Sequence, residues 1–173
     1  MRIQLNLTLD CPADAAWVGI TSPAGLRSVS APLLVFTSLE DGGFTERWTE
    51  GEHPVAITAL GFLPAGKQII DISFRGTPSV ASSSGDAGDT AGAMGSRTVT
   101  DSGRGLSWPL TLVKSWNHEM TVSPRADGRT DYRDRLDFET GILTPAFWLS
   151  YWVFWQWRAR GIRREARRWG TGA

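Results

Sequence analysis

Residues 115–139 read SWNHEMTVSPRADGRTDYRDRLDFE, and this stretch decides the fold. Pro124-Arg125-Ala126-Asp127-Gly128 is a turn whose glycine suits a left-handed position, so the runs on either side come back on each other as a hairpin. Side chains alternate along a strand, which puts Trp116, His118, Met120 and Val122 on one side of the first run and Ser115, Asn117, Glu119 and Thr121 on the other. On the return run Tyr132, Asp134, Leu136 and Phe138 share a side, opposite Asp131, Arg133, Arg135, Asp137 and Glu139. The apolar sides face inward and carry two ionisable groups, His118 and Asp134, with them. With Met120 across from Asp134, as turn parity allows, the two are diagonal neighbours within reach of a hydrogen bond or a bridging water. A carboxylate on an apolar face costs several kcal/mol unless it is paired or solvated. His118 is the partner at hand. Three roles stay open to the pair: a structural contact in the core, a polar contact at the bottom of a ligand cavity, or an acid/base dyad.

Upstream of the hairpin, residues 2–9 alternate strictly, with Ile3, Leu5, Leu7 and Leu9 on one side, the period of a half-buried strand. Pro12 and Asp14 then start a short helix with a stripe of Ala13, Ala16, Trp17 and Ile20, and Ser22-Pro23 starts a second brief one. Strands are expected over Leu33–Leu39, Phe44–Glu50, Val55–Leu60 and Lys67–Phe74, punctuated by Asp41-Gly42-Gly43, Gly51 and Leu63-Pro64-Ala65-Gly66, as an antiparallel meander. Residues 76–96 are almost all Gly, Ser, Ala, Thr and Asp, a composition expected to form a flexible loop. Arg97–Thr100 and Leu110–Val122 complete the strands before the turn.

Downstream, residues 142–157 (ILTPAFWLSYWVFWQW) form the start of a closing helix that is apolar nearly all round, whereas a helix lying on one sheet needs a single apolar stripe. Sixteen residues, interrupted by Pro145, Ser150 and Gln156, fall short of the ~20 that cross a bilayer. Phe147, Tyr151 and Phe154 recur at helical spacing toward the sheet, leaving Trp148, Trp152 and Trp155 around the other side. Those tryptophans, followed by Arg163, Arg164, Arg167 and Arg168, have the composition of an interfacial membrane contact; a dimer seam, or wrapping by the chain's own sheet and loops, would account for the same pattern.

Composition bounds the rest. A chain of 173 residues, 41% hydrophobic, is one domain's worth, taken here as residues 1–169. The lone Cys11 rules out an intramolecular disulfide, and no Cys/His cluster has zinc-binding spacing, so no metal and no cofactor are expected. The first residues lack a basic head followed by an apolar run, and a cytoplasmic location is the default expectation. A formal net charge of +0 argues against nucleic acid as a partner. The balance is uneven: up to Trp157 the chain carries 12 basic and 17 acidic side chains, while 158–173, read as a basic tail, carries six arginines and one glutamate. Gly61 to Lys67 has the glycine and lysine spacing of a phosphate loop, but Gln68 replaces the required Ser/Thr and a β-rich run follows, so it reads as a turn. His53, before Pro54, reads as a turn residue as well.

The order of strand, two short helices, antiparallel strands and long closing helix resembles the START-like superfamily, the polyketide cyclase/dehydrase and lipid-transport group. The resemblance covers most of the chain. It is carried by Cys11-Pro12-Ala13-Asp14-Ala15-Ala16-Trp17, by Thr21-Ser22-Pro23, and by Trp116-Asn117-His118 followed by Thr130-Asp131-Tyr132-Arg133-Asp134-Arg135-Leu136, similar to the W-x-H and T-x-Y-x-D pattern of a largely uncharacterised bacterial branch. Met120 stands where some members of that branch have a second histidine. The resemblance implies an α+β helix-grip fold, a curved antiparallel sheet of about six to eight strands around a long C-terminal helix. It also implies a hydrophobic cavity between sheet and helix, lined by Trp48, Trp116, His118, Met120, Asp134, Leu136, Phe147 and Tyr151, with Phe154 on the same helix face. The expected occupant is a hydrophobic small molecule or lipid. A cyclase or dehydratase using His118 and Asp134, and a membrane-surface or interaction module, are the alternatives.

Overall fold

A computed structural model of the protein describes residues 1–76 and 95–171. The loop expected at 76–96 therefore falls, apart from Gly76, Gly95 and Ser96, outside the described residues. The chain is an α+β helix-grip fold. Strand β1 (Arg2–Leu9) leads into helices α1 (Ala13–Ile20) and α2 (Pro23–Ser30), then β2 (Leu34–Ser38), β3 (Gly51–Ala59), β4 (Leu63–Arg75), β5 (Arg97–Asp101), the short β6 (Arg104–Gly105), β7 (Ser115–Pro124), β8 (Thr130–Glu139) and helix α3 (Thr144–Thr171). The eight strands pair antiparallel in one sheet of order β1-β8-β7-β5-β4-β3-β2, with β6 on β4. Because every strand alternates in the same sense, one face of this sheet is apolar, and α3 lies against it.

The hairpin of β7 and β8 has the register expected from its turn, with Met120 opposite Asp134 and His118 opposite Leu136. Three segments differ from expectation. Residues 44–50 form no strand: Trp48 donates its backbone N–H to the Thr21 carbonyl at 3.0 Å and buries its ring, so the segment covers the core instead of joining the sheet. Leu63–Gly66 belongs to β4, and the reversal before it is made by Leu60 and Gly61, both left-handed at φ 53° and 80°. Leu110–Leu112 is a turn of 3₁₀-helix, so β7 starts five residues later than expected.

Helix α2 is held at its start by Ser22, whose hydroxyl accepts the Gly25 N–H at 2.9 Å, with Pro23 in the first position. Ser22→Ala should lower stability by about 1 kcal/mol, read as a shift of the urea midpoint with unchanged slope. Helix α3 runs 28 residues, about 42 Å at 1.5 Å per residue. The basic segment after Arg158 is the second half of this helix and not a separate tail. Gly161 does not break α3: a Cβ there would lie 2.8 Å from the Val29 carbonyl oxygen, so the missing side chain lets α3 cross α2 closely. Two apolar clusters result. The larger joins α1, α2, the sheet and the second half of α3 through residues such as Leu9, Val29, Val99 and Ile162; the smaller gathers Ile3, Leu136, Phe138 and Trp155 under the first half.

Candidate functional site

Asp134 lies where the two clusters meet. It is fully buried, and all its bonding capacity is directed. Oδ1 accepts from His118 Nε2 at 2.8 Å and from Trp155 Nε1 at 2.9 Å; Oδ2 accepts from the Tyr132 hydroxyl at 2.8 Å and from Arg158 Nε at 3.0 Å. Burial alone would raise this carboxyl's pKa, but His118, the Arg158 guanidinium and these hydrogen bonds outweigh it and hold the group well below the usual carboxylate range. Asp134 is thus an ionised acceptor, which requires the proton on Nε2 of His118. The Tyr132 hydroxyl is kept protonated, first by burial and then by the Asp134 charge. Arg158 is 4% exposed and rests its Nη2 on the Met120 sulfur at 3.0 Å. Burial pulls its pKa down, and the charge of Asp134 more than restores it.

A second buried carboxylate stands beside the first. Asp101 ends β5 directly opposite His118. Its Oδ1 accepts the backbone N–H groups of Asp71 and Gly103, each at 3.0 Å, and its Oδ2 accepts Trp116 Nε1 at 3.1 Å. Burial pushes the Asp101 carboxyl up, and neither His118 nor these hydrogen bonds fully reverse that.

Between this polar floor and α3 is a cavity of about 340 Å³. Phe36, Ile57, Ile70 and Ile72 line it from the sheet, Leu26 and Val29 from α2, and Trp48, Trp116, Tyr151, Phe154 and Trp155 supply aromatic walls. Gln68, Asp101, His118 and Arg158 are its polar members in the sheet and lower helix. Ser150 and Val153, both exposed, mark where it reaches the surface. Burial pushes the Tyr151 hydroxyl up to about 12, so it stays a neutral donor. Among the described residues no group of three or more His, Cys, Asp or Glu is placed to hold a metal ion, and no helix is long and apolar enough to cross a membrane.

Of the residues singled out in the sequence, Trp48, Trp116, His118, Met120, Tyr151 and Phe154 line this cavity. Asp134, Leu136 and Phe147 do not: Asp134 is sealed behind His118, while Leu136 and Phe147 pack in the smaller cluster. Trp155, expected on the outer side of α3, is 2% exposed, because its indole N–H is drawn inward by Asp134. Trp148 is half-buried and donates to the Arg2 carbonyl at 3.2 Å, tying α3 to β1; Trp152, stacked on it, remains exposed. Arg163, Arg164, Arg167 and Arg168 are exposed, with Arg164 and Arg168 paired to Glu165. His53 is a buried residue of β3 and not a turn, its Nδ1 on Glu40 at 3.0 Å and its Nε2 on the Thr49 carbonyl at 2.9 Å. Sequence reading missed Arg158 and Asp101. The first was legible in principle, since Tyr151, Trp155, Arg158 and Ile162 follow one face of a 3.6-residue helix; the second had no local partner to announce it.

No family model matches the sequence, and no functionally curated protein matches it either. Solved structures do. A protein from Chromobacterium violaceum is similar over 95% of this chain and 96% of its own, with TM-score 0.57 at 16% identity. One from Arthrobacter aurescens is similar over 96% and 86%, with TM-score 0.60 at 12% identity. An aromatase/cyclase from a Streptomyces species is similar over 97% and 94%, with TM-score 0.56 at 14% identity. The chain has the START-like fold. At such identities the likeness is one of fold. What the START-like frame provides in this chain is the separation of sheet from α3 that leaves the cavity open, and the polar floor is built on it by this chain's own residues.

Proposed function

We propose that the protein binds or carries an apolar small molecule in the cavity between its sheet and α3. The observation that carries this reading is the cavity itself: about 340 Å³ of apolar and aromatic wall converging on a few fixed polar groups. Ligand sites span ~300–1,000 Å³ and have this composition. At about 30 Å³ for each water-sized group, the space holds a molecule of on the order of a dozen non-hydrogen atoms, such as a fused aromatic or a short acyl chain, and a two-chain lipid is too large. Leaving aromatic walls around a void forfeits dispersion contacts that an occupant restores.

Native mass spectrometry of the purified protein, followed by organic extraction, is expected to reveal a bound compound of this size. Adding an apolar aromatic at a hundred times its dissociation constant should raise stability by about 2.7 kcal/mol. A protein that is empty and whose melting temperature responds to no apolar compound would overturn the reading.

A catalytic reading of cyclase or dehydratase type is supported by His118, which touches the cavity with Asp134 fixing its ring from behind. In it Asp134 is a positioning residue, since its burial keeps it from any substrate. Turnover of a polyketone substrate that is lost in His118→Ala, with the fold intact, is the result this reading requires.

A further inference from the structure

Polar groups from three elements face the floor of the cavity: Asp101 at the end of β5, His118 on β7 and Arg158 on α3, with Asp134 and Tyr132 of β8 behind them. Their charges and hydrogen bonds are mostly committed to one another. Arg158 gives its Nε–H to Asp134 at 3.0 Å, and the positive charge of the one balances the negative charge of the other. Trp155 and Trp116 spend their indole N–H groups on Asp134 and Asp101. The Nε2–H of His118 is given to Asp134.

What is left over is specific. Nδ1 of His118 has no hydrogen-bond partner among the described residues. Among the described residues the sealed polar side-chain atoms without a partner are Ser30 Oγ and Thr100 Oγ1, so the unpartnered Nδ1 is not sealed, and its residue lines the cavity. In the neutral ring that nitrogen is an acceptor. Beside it, directly across the β5–β7 pair, stands the Asp101 carboxyl. The floor thus offers an incoming molecule an acceptor and a carboxyl, and the only permanent cation in reach already has its anion.

Resting on the reading of the cavity as a binding site, we propose that its ligand is an uncharged apolar molecule bearing a hydroxyl, which donates to Nδ1 of His118, and that the matching carboxylate is rejected. A hydroxyl satisfies the open acceptor. A carboxylate would enter a low-dielectric site with no unmatched cation and would face the Nδ1 lone pair and Asp101, and the uncharged donors of Tyr151 and Gln68 that also line the cavity would replace its hydration only in part. The ordinary fatty acid is therefore the wrong kind of occupant, despite the apolar walls.

Three probes of equal ring size separate the possibilities: naphthalene, 2-naphthol and 2-naphthoate, titrated at pH 8, where a free carboxylic acid is ionised, with quenching of the cavity tryptophans as the signal. 2-Naphthol should bind about tenfold more tightly than 2-naphthoate and several-fold more tightly than naphthalene. In His118→Phe the advantage of 2-naphthol over naphthalene should vanish while naphthalene still binds, which also shows the variant folded. Should that variant not fold, His118→Gln, which keeps an amide donor for Asp134, is expected to shrink the advantage. If 2-naphthoate binds as well as 2-naphthol, or the advantage survives both substitutions, the hydroxyl assignment is wrong although the cavity reading stands. If none of the three binds, the cavity reading itself fails.

Discussion

Arg158→Met should cost about 3–5 kcal/mol of unfolding free energy, because it removes the only arginine partner of a fully buried carboxylate. Methionine fills much of the volume, so the loss measures charge and not packing. The pair can be tested from both ends. In Arg158→Met/Asp134→Asn the amide oxygen still accepts from His118 and Trp155, and the amide N–H₂ can donate to the Tyr132 oxygen; a recovery of about 1–3 kcal/mol relative to the single variant is expected from urea titrations. The pH dependence follows in sign. The folded value of Asp134 lies below its unfolded one, so its contribution is fully present above about pH 3.9 and is lost as pH falls through the folded value. The deficit of Arg158→Met should accordingly narrow below about pH 4, where a protonated Asp134 needs no cation. A deficit that is small at pH 7, or that widens in acid, would show that Asp134 is not ionised in the folded protein.

Trp155→Ala should cost about 3–5 kcal/mol, since the indole is 2% exposed and meets Trp116, His118, Tyr151 and Phe154 edge to face. Trp155→Phe keeps most of the ring contact and removes only the N–H bonded to Asp134, for which about 1.5–3 kcal/mol is expected. The difference between the two variants, read from thermal or urea unfolding, separates packing from hydrogen bonding. Equal losses would mean that the ring contributes nothing beyond its N–H.

These two side chains also show where sequence reading stops. Alternation in 115–139 was enough to give the hairpin, the inward sides and the meeting of His118 with Asp134, because a two-residue period leaves little freedom once one face is apolar. Summed charge misleads for Arg158: counted with the arginines after it, it reads as the start of a solvated tail, although it lies two helical turns after the sheet-facing Tyr151 and so on the same face. Trp155 reads as outward for a related reason. A helix apolar on all sides gives no contrast by which to choose the buried face, and the deciding factor was a hydrogen bond to a strand some twenty residues earlier. Residues 44–50 carry the aromatic content of a strand, yet Trp48 bonds its N–H to the Thr21 carbonyl just past α1 and packs its ring on Phe44 and on His53 of β3, which fixes the segment over the core. Asp101 needed three partners from Asp71, Gly103 and Trp116, none predictable from spacing.

Helix α3 is anchored unequally along its length. Beyond Arg158 it presents Ala159, Ile162 and Ala166 to the larger cluster and crosses α2 at Gly161, whereas before Trp155 it leaves Leu149, Trp152 and Val153 more than two-fifths exposed above the cavity. If the cavity carries a guest as proposed, release past Ser150 and Val153 would loosen the more exposed half of α3 while the other half stays docked, and residence time and global stability would then be separate properties.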